Sequence, residues 1–164
     1  MSQQLPNEIV LRPATAADVP LLLSLIGELA DYVHLRDQMD ITEQGLHKAL
    51  FTKHVASALL MEWRGETAGY AIYFYSFSTF TGLSGIYLED VFVRPAYRGK
   101  GIGHAVFTHL ARKACEEGCG RMEWECLNWN EPSITFYEKL GAVQKKDSRG
   151  YRLSGDALRT AAGL

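Results

Sequence analysis

The chain has 164 residues, the size of one domain of roughly 100–200 residues. Its hydrophobic fraction of 47% and charged fraction of 22% are typical of a globular protein and exclude a disordered chain. Seventeen Lys and Arg against nineteen Asp and Glu give a net charge of −2. That balance argues against a general nucleic-acid-binding protein, which would carry a basic excess. We therefore predict a single domain over residues 1–164 with no nucleic-acid partner.

Membrane, secretion and metal-binding signals are not found in the sequence. The longest apolar stretches, such as 21–23 and 58–61, are far shorter than the about 20 residues that span a bilayer. The start of the chain, Met1–Gln4, has neither the basic nor the apolar region of a secretory signal. The three cysteines cannot all pair, and none lies in a CxxC motif. We expect a cytoplasmic protein with reduced thiols, no metal and no membrane partner.

Hydrophobic periodicity and turn residues predict a chain in which strands alternate with helices. In chain order, we predict a strand at 8–12, a helix at 16–32, a short helix after Thr42, strands at 55–63, 67–77 and 86–93, a helix from 102 to near 118, a strand at 121–127, a short helix from about 131 to 141, and a closing hairpin of 143–146 and 151–153. Thr15 and Asp18 form a predicted capping box at the first helix. This order implies a mixed sheet with helices on its faces.

A glycine-rich segment at 98–103, RGKGIG, follows a predicted strand and begins a predicted helix. Glycines let backbone N–H groups approach an anion closely, and a helix N-terminus adds unpaired donors and a positive dipole end. Arg98 and Lys100 add positive charge. The spacing matches neither the P-loop nor the dinucleotide-binding motif. The segment predicts a phosphate-binding loop, with an ordinary glycine-rich helix start as the alternative.

Three segments together resemble the GNAT superfamily of N-acetyltransferases: YLEDVFV at 87–93, YRGKGIG at 97–103 and WNEPSITFY at 129–137. Within it they are similar to the spermidine/spermine and thialysine acetyltransferase branch, as is LRPATAAD at 11–18. The resemblance covers about residues 9–153. It implies an α/β (α+β mixed) GNAT fold with a mixed central sheet of about six to seven strands, flanked by about four helices. An acetyl-CoA cleft is expected between two splayed parallel strands, 86–93 and 121–127.

The resemblance also implies acetyl-CoA as cosubstrate. It assigns the pantetheine arm to backbone groups of 91–93 and the pyrophosphate to the amides of 99–104, and it places Asn130 and Ser133 against the cofactor. The predicted cofactor-binding residues are Val91, Phe92, Val93, Arg98, Gly99, Lys100, Gly101, Ile102, Gly103, His104, Asn130, Glu131, Pro132 and Ser133.

Acetyl transfer to an amine needs a neutral amine and a proton for the departing thiolate. An alkyl ammonium has a pKa of about 10, so a base must first remove a proton. Glu89 is the predicted proton acceptor, directly or through water, with a solvated carboxylate as the alternative. Asp90 follows it in the strand, should point to the opposite face, and is expected to be structural. The resemblance assigns the general acid to Tyr137, and the Val91 N–H is a candidate oxyanion donor.

The predicted acceptor site departs from that of the polyamine enzymes in the same branch. Tyr32 matches their pattern, but the acidic position after it is Val33, and another acidic position falls on Arg149. The missing negative charge disfavours long polycations. Arg149 is instead suited to the carboxylate of an amino-acid-like acceptor such as thialysine. The predicted acceptor residues are Tyr32, Glu89, Glu123, Trp124, Glu125 and Arg149.

The sequence therefore predicts an acetyl-CoA-dependent N-acetyltransferase. It would acetylate a primary amine of a small molecule (a diamine, a polyamine, thialysine or another amino-acid-like amine) by direct attack in a ternary complex. A noncatalytic acetyl-CoA sensor and a protein N-terminal or lysine acetyltransferase are the alternatives. The resemblance also implies a homodimer, and the strand at 67–77 carries more aromatic side chains than one core needs.

Overall fold

A five-stranded sheet organises the computed structural model, which describes residues 8–164. The strands are β1 Ile9–Pro13, β2 Ser57–Trp63, β3 Glu66–Ser78, β4 Leu83–Val93 and β5 Arg121–Trp124. They lie in the order β1-β2-β3-β4-β5; the first four pair antiparallel, and β5 pairs parallel with β4. The segment Met1–Gln4, expected to lack a secretory signal, lies outside the described residues.

Five helices accompany the sheet in the part of the chain that the structure describes, and the starts of the first two carry the side-chain contacts that the sequence predicts. The helices are α1 Val19–Tyr32, α2 Glu43–His47, α3 Ile102–Glu116, α4 Glu131–Lys139 and α5 Gly155–Ala161. In the turn before α1, the Thr15 N–H donates to the Asp18 carboxylate at 2.7 Å, as the predicted capping box requires. Thr42 Oγ1 accepts from the Gly45 N–H at 3.1 Å and caps α2. Within residues 8–164, none of the helices is long and apolar enough to cross a membrane.

The chain divides into two compact units. The first contains the described residues up to Glu125, and the second is Cys126–Leu164. The whole sheet belongs to the first unit, together with α1, α2 and α3, whereas α4 and α5 belong to the second. That residues 1–164 form a single domain remains a prediction.

The predicted mixed α/β architecture is confirmed, with two corrections. The sheet has five strands in the part of the chain that the structure describes, not six to seven, because 143–146 and 151–153 form no hairpin. Val143 and Tyr151 are 88% and 90% exposed, so these segments have no buried face to pack. The helices number five among residues 8–164, not about four, because the seven-residue α5 follows the last predicted element.

A hydrophobic core holds α1 and α2 against one face of the sheet. Leu22 and Leu25 of α1 are fully buried. The cluster that includes them consists of Val19, Leu22, Leu25, Leu46, Leu50, Ala58, Leu60, Tyr70, Ile72 and Phe92. Each fully buried leucine contributes about 1.5–3 kcal/mol, so this layer fixes α1 firmly on the sheet.

An ion pair adds a directional contact between α1 and the sheet. Arg94, just after β4, donates from Nε and Nη2 to the Glu28 carboxylate of α1 at 2.9 and 2.7 Å. Its Nη1 donates to the Thr67 carbonyl oxygen of β3 at 3.0 Å. Because two N–H groups bind one carboxylate, the contact fixes the orientation of the Arg94 guanidinium to the Glu28 carboxylate as well as the distance between them. It locates the C-terminal half of α1 relative to the end of β4.

Candidate active site

The pairing of the two parallel strands ends near the place where the sequence predicts the cofactor cleft. Strand β5 pairs with β4 from Gly85 opposite Arg121 to Leu88 opposite Trp124, where β5 ends. Strand β4 continues through Glu89 to Val93. Its second half therefore extends beyond β5 while it remains paired with β3 on the other side.

Strand β4 carries a bulge at Glu89. Asp90 lies opposite Ile72 of β3, whereas the next residue of β3, Tyr73, lies opposite Leu88. Glu89 is thus the extra residue on β4, and a bulge of this kind bends the strand and redirects its side chains. The simple alternation that predicted Glu89 and Asp90 on opposite faces does not apply across it. Their environments nevertheless differ, because Glu89 is exposed and Asp90 is partly buried.

Asp90 is held inside the first unit by a tyrosine of β3. The Tyr70 hydroxyl donates to Asp90 Oδ2 at 2.9 Å, and Tyr70 itself is fully buried. Burial raises the pKa of Asp90, and the hydrogen bond from Tyr70 offsets part of that rise. Burial, followed by the charge of Asp90, also raises the pKa of Tyr70. These contacts support the structural role expected for Asp90.

Three of the predicted acceptor carboxylates lie around one phenol, that of Tyr87. Tyr87 of β4 lies opposite Glu123 of β5 in the register of the parallel pair. Burial raises the pKa of Tyr87, and the charges of Glu125, Glu89 and Glu123, with a hydrogen bond to Glu125, raise it further. The three carboxylates give this part of the first unit a negative potential that suits a cationic acceptor.

Tyr87 was missed as a site residue in the sequence analysis. The available signal was its position two residues before Glu89, because residues two apart in a regular strand lie on the same face. The register that sets Tyr87 opposite Glu123 cannot be read from the sequence. Two other predicted acceptor residues of β5 also make contacts within the first unit. Glu123 Oε2 lies 3.2 Å from Arg121 Nε, and the Trp124 ring packs edge-on against Phe107 of α3 at 5.0 Å.

The glycine-rich loop has the backbone conformation that only glycine adopts readily. Gly99 and Gly101 have φ angles of +75° and +81°. A Cβ built on either would meet no atom within 4 Å, so backbone conformation rather than packing requires glycine there. Gly101 directly precedes Ile102, the first residue of the 15-residue helix α3. The segment predicted to bind pyrophosphate therefore has open space at both of these glycines.

The two cations of the loop lie against aromatic rings. The Arg98 Nε donates to the Val93 carbonyl oxygen at 2.9 Å. Its guanidinium carbon lies 4.5 Å from the centroid of the Tyr32 ring and 5.9 Å from that of Phe92. The structure thus stacks a predicted cofactor residue, Arg98, on a predicted acceptor residue, Tyr32.

The remaining loop side chains also have local contacts. Lys100 Nζ lies 5.4 Å from the centroid of the Trp63 ring. The ring nitrogen Nδ1 of His104 lies 3.3 Å from Thr108 Oγ1, one turn further along α3. The His104 side chain therefore engages its own helix, and the predicted role of its backbone N–H stays a prediction.

In the second unit, predicted cofactor and catalytic residues lie on and beside α4. Asn130 precedes α4 and is 8% exposed, and its buried Oδ1 accepts no hydrogen bond from the residues that the structure describes. Ser133 and Tyr137, one helical turn apart on α4, are both partly exposed. Arg149 is exposed in the segment after the helix. Burial raises the pKa of the Cys126 thiol and makes it a poor nucleophile.

Comparison with known proteins agrees with this geometry. Residues 23–142 match the model of the acetyltransferase (GNAT) family, and the chain belongs to that family. It is an N-acetyltransferase, as the sequence predicted. The thialysine N-epsilon-acetyltransferase of Bos taurus is 35% identical over 167 residues, which cover 94% of this chain and 98% of that protein. This relative confirms the predicted branch.

Two further proteins extend the comparison. The L-ornithine N5-acetyltransferase NATA1 of Arabidopsis thaliana is 31% identical and covers 91% of this chain and 86% of its own length. An integron cassette protein from the mobile metagenome of V. cholerae superposes with a TM-score of 0.81 at 24% identity, over 97% of this chain and 100% of that one. The latter match confirms the fold.

The buried carboxyl of Asp90 predicts a pH dependence of stability. Because its pKa is raised in the folded state, the folded protein binds more protons than the unfolded chain, and stability falls as pH rises through that pKa. Asn at this position accepts the Tyr70 hydrogen bond without carrying charge. Urea unfolding at pH 4, 5.5 and 7 should show Asp90→Asn gaining stability relative to wild type as pH rises. Asp40→Asn, at an exposed position, is the control. If the difference in free energy of unfolding between Asp90→Asn and wild type does not change with pH, the raised pKa of Asp90 is contradicted.

Proposed function

We propose that the protein uses acetyl-CoA to acetylate a terminal amine of a small amino acid or diamine. The observation that carries this proposal is the group of three carboxylates, Glu89, Glu123 and Glu125, around the Tyr87 phenol at the end of the β4–β5 pairing. An ammonium group is the ligand that such a group favours. Thialysine and L-ornithine, named for two relatives, are amino acids of this kind.

The cofactor is proposed to bind where β4 extends beyond β5 and where the loop before α3 is open. Backbone groups of 91–93 would hold the pantetheine arm, and the amides of 99–104 would hold the pyrophosphate. The positive φ angles and the free space at Gly99 and Gly101 support this fit. The buried Oδ1 of Asn130 is suited to accept a hydrogen bond from a cofactor amide. When bound, acetyl-CoA supplies the acetyl group as a thioester and leaves as coenzyme A.

In the proposed mechanism, the chain moves two protons. Glu89 takes a proton from the acceptor ammonium, and its exposure allows a water molecule to relay that proton. The amine nitrogen then forms its bond to the acetyl carbon as the carbon–sulfur bond breaks. Tyr137 gives its phenolic proton to the sulfur. The proton that the nitrogen loses as the amide forms passes to solvent water, and the Tyr137 oxygen regains a proton from solvent. The raised pKa of Cys126 supports direct transfer without an acetyl-cysteine.

An amine panel tests the proposed function. Purified protein with acetyl-CoA is assayed for thiol release against thialysine, lysine, ornithine, 1,3-diaminopropane, spermidine, propylamine and a lysine-containing peptide, with products identified by mass spectrometry. We expect the amino acids and the diamine to be acetylated at a terminal amine with higher kcat/KM than propylamine or the peptide. Absence of turnover with every small amine, or turnover with the peptide alone, would overturn the proposal.

The loop is tested separately by a charge placed on it. Gly101→Asp puts a carboxylate and a Cβ at a positive-φ position beside the amides that are proposed to bind pyrophosphate. We expect coenzyme A affinity to fall at least about tenfold by calorimetry. Gly118→Asp is the matched control, because Gly118 lies just past the other end of α3, has a φ of +71° and also has open space around it. Equal affinities in the two variants would refute the assignment of the loop.

The two proton-transfer roles predict different pH behaviour. Tyr137→Phe removes one hydroxyl, so kcat should fall by about 10²–10⁴-fold with little change in acetyl-CoA affinity. Glu89→Gln should also lower kcat, but alkaline pH should partly restore its activity because more of the amine is then neutral. Tyr137→Phe should show no such recovery. Steady-state kinetics from pH 7 to 10 measure both. A phenylalanine variant with more than about half of wild-type kcat, with chemistry rate-limiting, would remove Tyr137 from the mechanism.

We also propose a cytoplasmic homodimer built from single-domain chains. Phe77 and Phe80, in and beside the β3–β4 hairpin, are 65% and 101% exposed, and a second subunit is the simplest cover for such side chains. The three free cysteines suit a reducing compartment. Light scattering at micromolar concentration should give twice the chain mass, and Phe77→Lys should lower that mass. A monomer mass for the wild type would contradict the dimer.

A further inference from the structure

The Arg98 side chain makes one of the contacts that hold the start of the glycine-rich loop. Gly99 and Gly101 have no side chain, and a Cβ on either would touch nothing. After the loop, Ile102 anchors the chain, because it is 1% exposed. Before the loop, Arg98 provides the anchor through its hydrogen bond from Nε to the Val93 carbonyl oxygen at 2.9 Å. The loop is thus held at both ends, and between them Lys100 contacts the Trp63 ring, with Nζ 5.4 Å from its centroid.

Tyr32 holds Arg98 in place. The guanidinium lies closer to the Tyr32 ring, at 4.5 Å, than to the Phe92 ring, at 5.9 Å. Both distances lie within the range of about 6 Å for attraction between a cation and an aromatic face. The two rings also lie 6.4 Å apart, so Arg98 rests on a pair of aromatic side chains.

The helix that carries Tyr32 is itself rigidly placed. Tyr32 is the last residue of α1, whose Leu22 and Leu25 are fully buried in the core. Glu28, one turn before Tyr32, receives the forked hydrogen bonds of Arg94 at the end of β4. The Tyr32 ring is therefore a fixed surface, and a guanidinium stacked on it loses freedom.

We propose that Tyr32 is a positioning residue for the cofactor loop and that it acts through Arg98. This assignment differs from the acceptor role that sequence resemblance gave to Tyr32, and it rests on the proposed binding of acetyl-CoA by the loop. In this assignment, the contact between Tyr32 and Arg98 couples the position of the loop at 98–103 to that of α1. Loss of the Tyr32 ring would release Arg98 and weaken cofactor binding without removing any group that touches the cofactor.

The test uses coenzyme A alone, measured by calorimetry on the full chain without an acceptor. Tyr32→Leu removes the ring, and we expect coenzyme A affinity to fall about three- to tenfold. Tyr32→Phe keeps the ring and should stay within about twofold of wild type, which separates stacking from any role of the hydroxyl. Tyr75→Leu, the same change at an exposed tyrosine, should leave affinity unchanged.

A double-mutant cycle establishes whether Tyr32 acts through Arg98. In an Arg98→Gln background, Tyr32→Leu should cause no further loss of coenzyme A affinity, because the cation that it stacks on is gone. Thermal unfolding and near-ultraviolet circular dichroism confirm that each variant is folded, and Tyr32→Met replaces Tyr32→Leu if the latter is not. The proposal is overturned if Tyr32→Leu, or Tyr32→Met in its place, binds coenzyme A with wild-type affinity. It is also overturned if the change at Tyr32 lowers the affinity equally in the wild-type and Arg98→Gln backgrounds.

The outcomes also separate this proposal from the proposed function. If wild type binds no coenzyme A, the proposed function and the positioning role both fail. If wild type binds and Gly101→Asp binds equally well, the loop is not the cofactor site and the positioning role fails, whereas the proposed function is decided by the amine panel. If wild type binds, Gly101→Asp does not, and Tyr32→Leu binds as wild type does, only the positioning role of Tyr32 fails.

Discussion

The pairing of β3 with β4 is the interaction on which the rest of the site depends. It runs from Gly69 opposite Val93 to Ser78 opposite Leu83, and it continues past the point where β5 ends. The second half of β4 is therefore aligned by β3. Gly69 shows how close the strands are, because a Cβ there would lie 2.0 Å from the Phe92 carbonyl oxygen. The pairing of β3 with β4 therefore positions both the bulge at Glu89 and the loop that follows β4.

Strand β4 also separates two regions of opposite charge. Near its middle, Tyr87 is surrounded by the charges of Glu89, Glu123 and Glu125. After its end, the loop begins with the cations Arg98 and Lys100, each against an aromatic ring. A cationic acceptor would thus be attracted to the middle of β4, and an anionic cofactor to the loop that follows it. The two ligands would therefore use different charged groups.

The sequence predicted those parts of the fold that local patterns control. Period-2 alternation located β5, and Thr15, Thr42 and the glycines of the loop marked helix starts. The bulge at Glu89 was not predicted, because one extra residue in a strand leaves no mark in its composition. The contact between Arg98 and Tyr32 joins residues far apart in the chain, and no local pattern reports it. The prediction of a closing hairpin was wrong because strands there would need a surface to pack on, and Val143 and Tyr151 are almost fully exposed.

The shortness of β5 has a consequence for motion in the site. It forms only four residue pairs with β4, from Gly85–Arg121 to Leu88–Trp124, at an edge of the sheet. Local opening of so short an edge strand costs much less than global unfolding, so its amides should exchange with solvent before those of β3. Glu123 lies on this short edge strand, whereas Glu89 lies at the bulge of β4, and the residues of β4 on both sides of the bulge pair with β3. The two carboxylates proposed to attract the acceptor therefore lie on strands that differ in how readily they open locally.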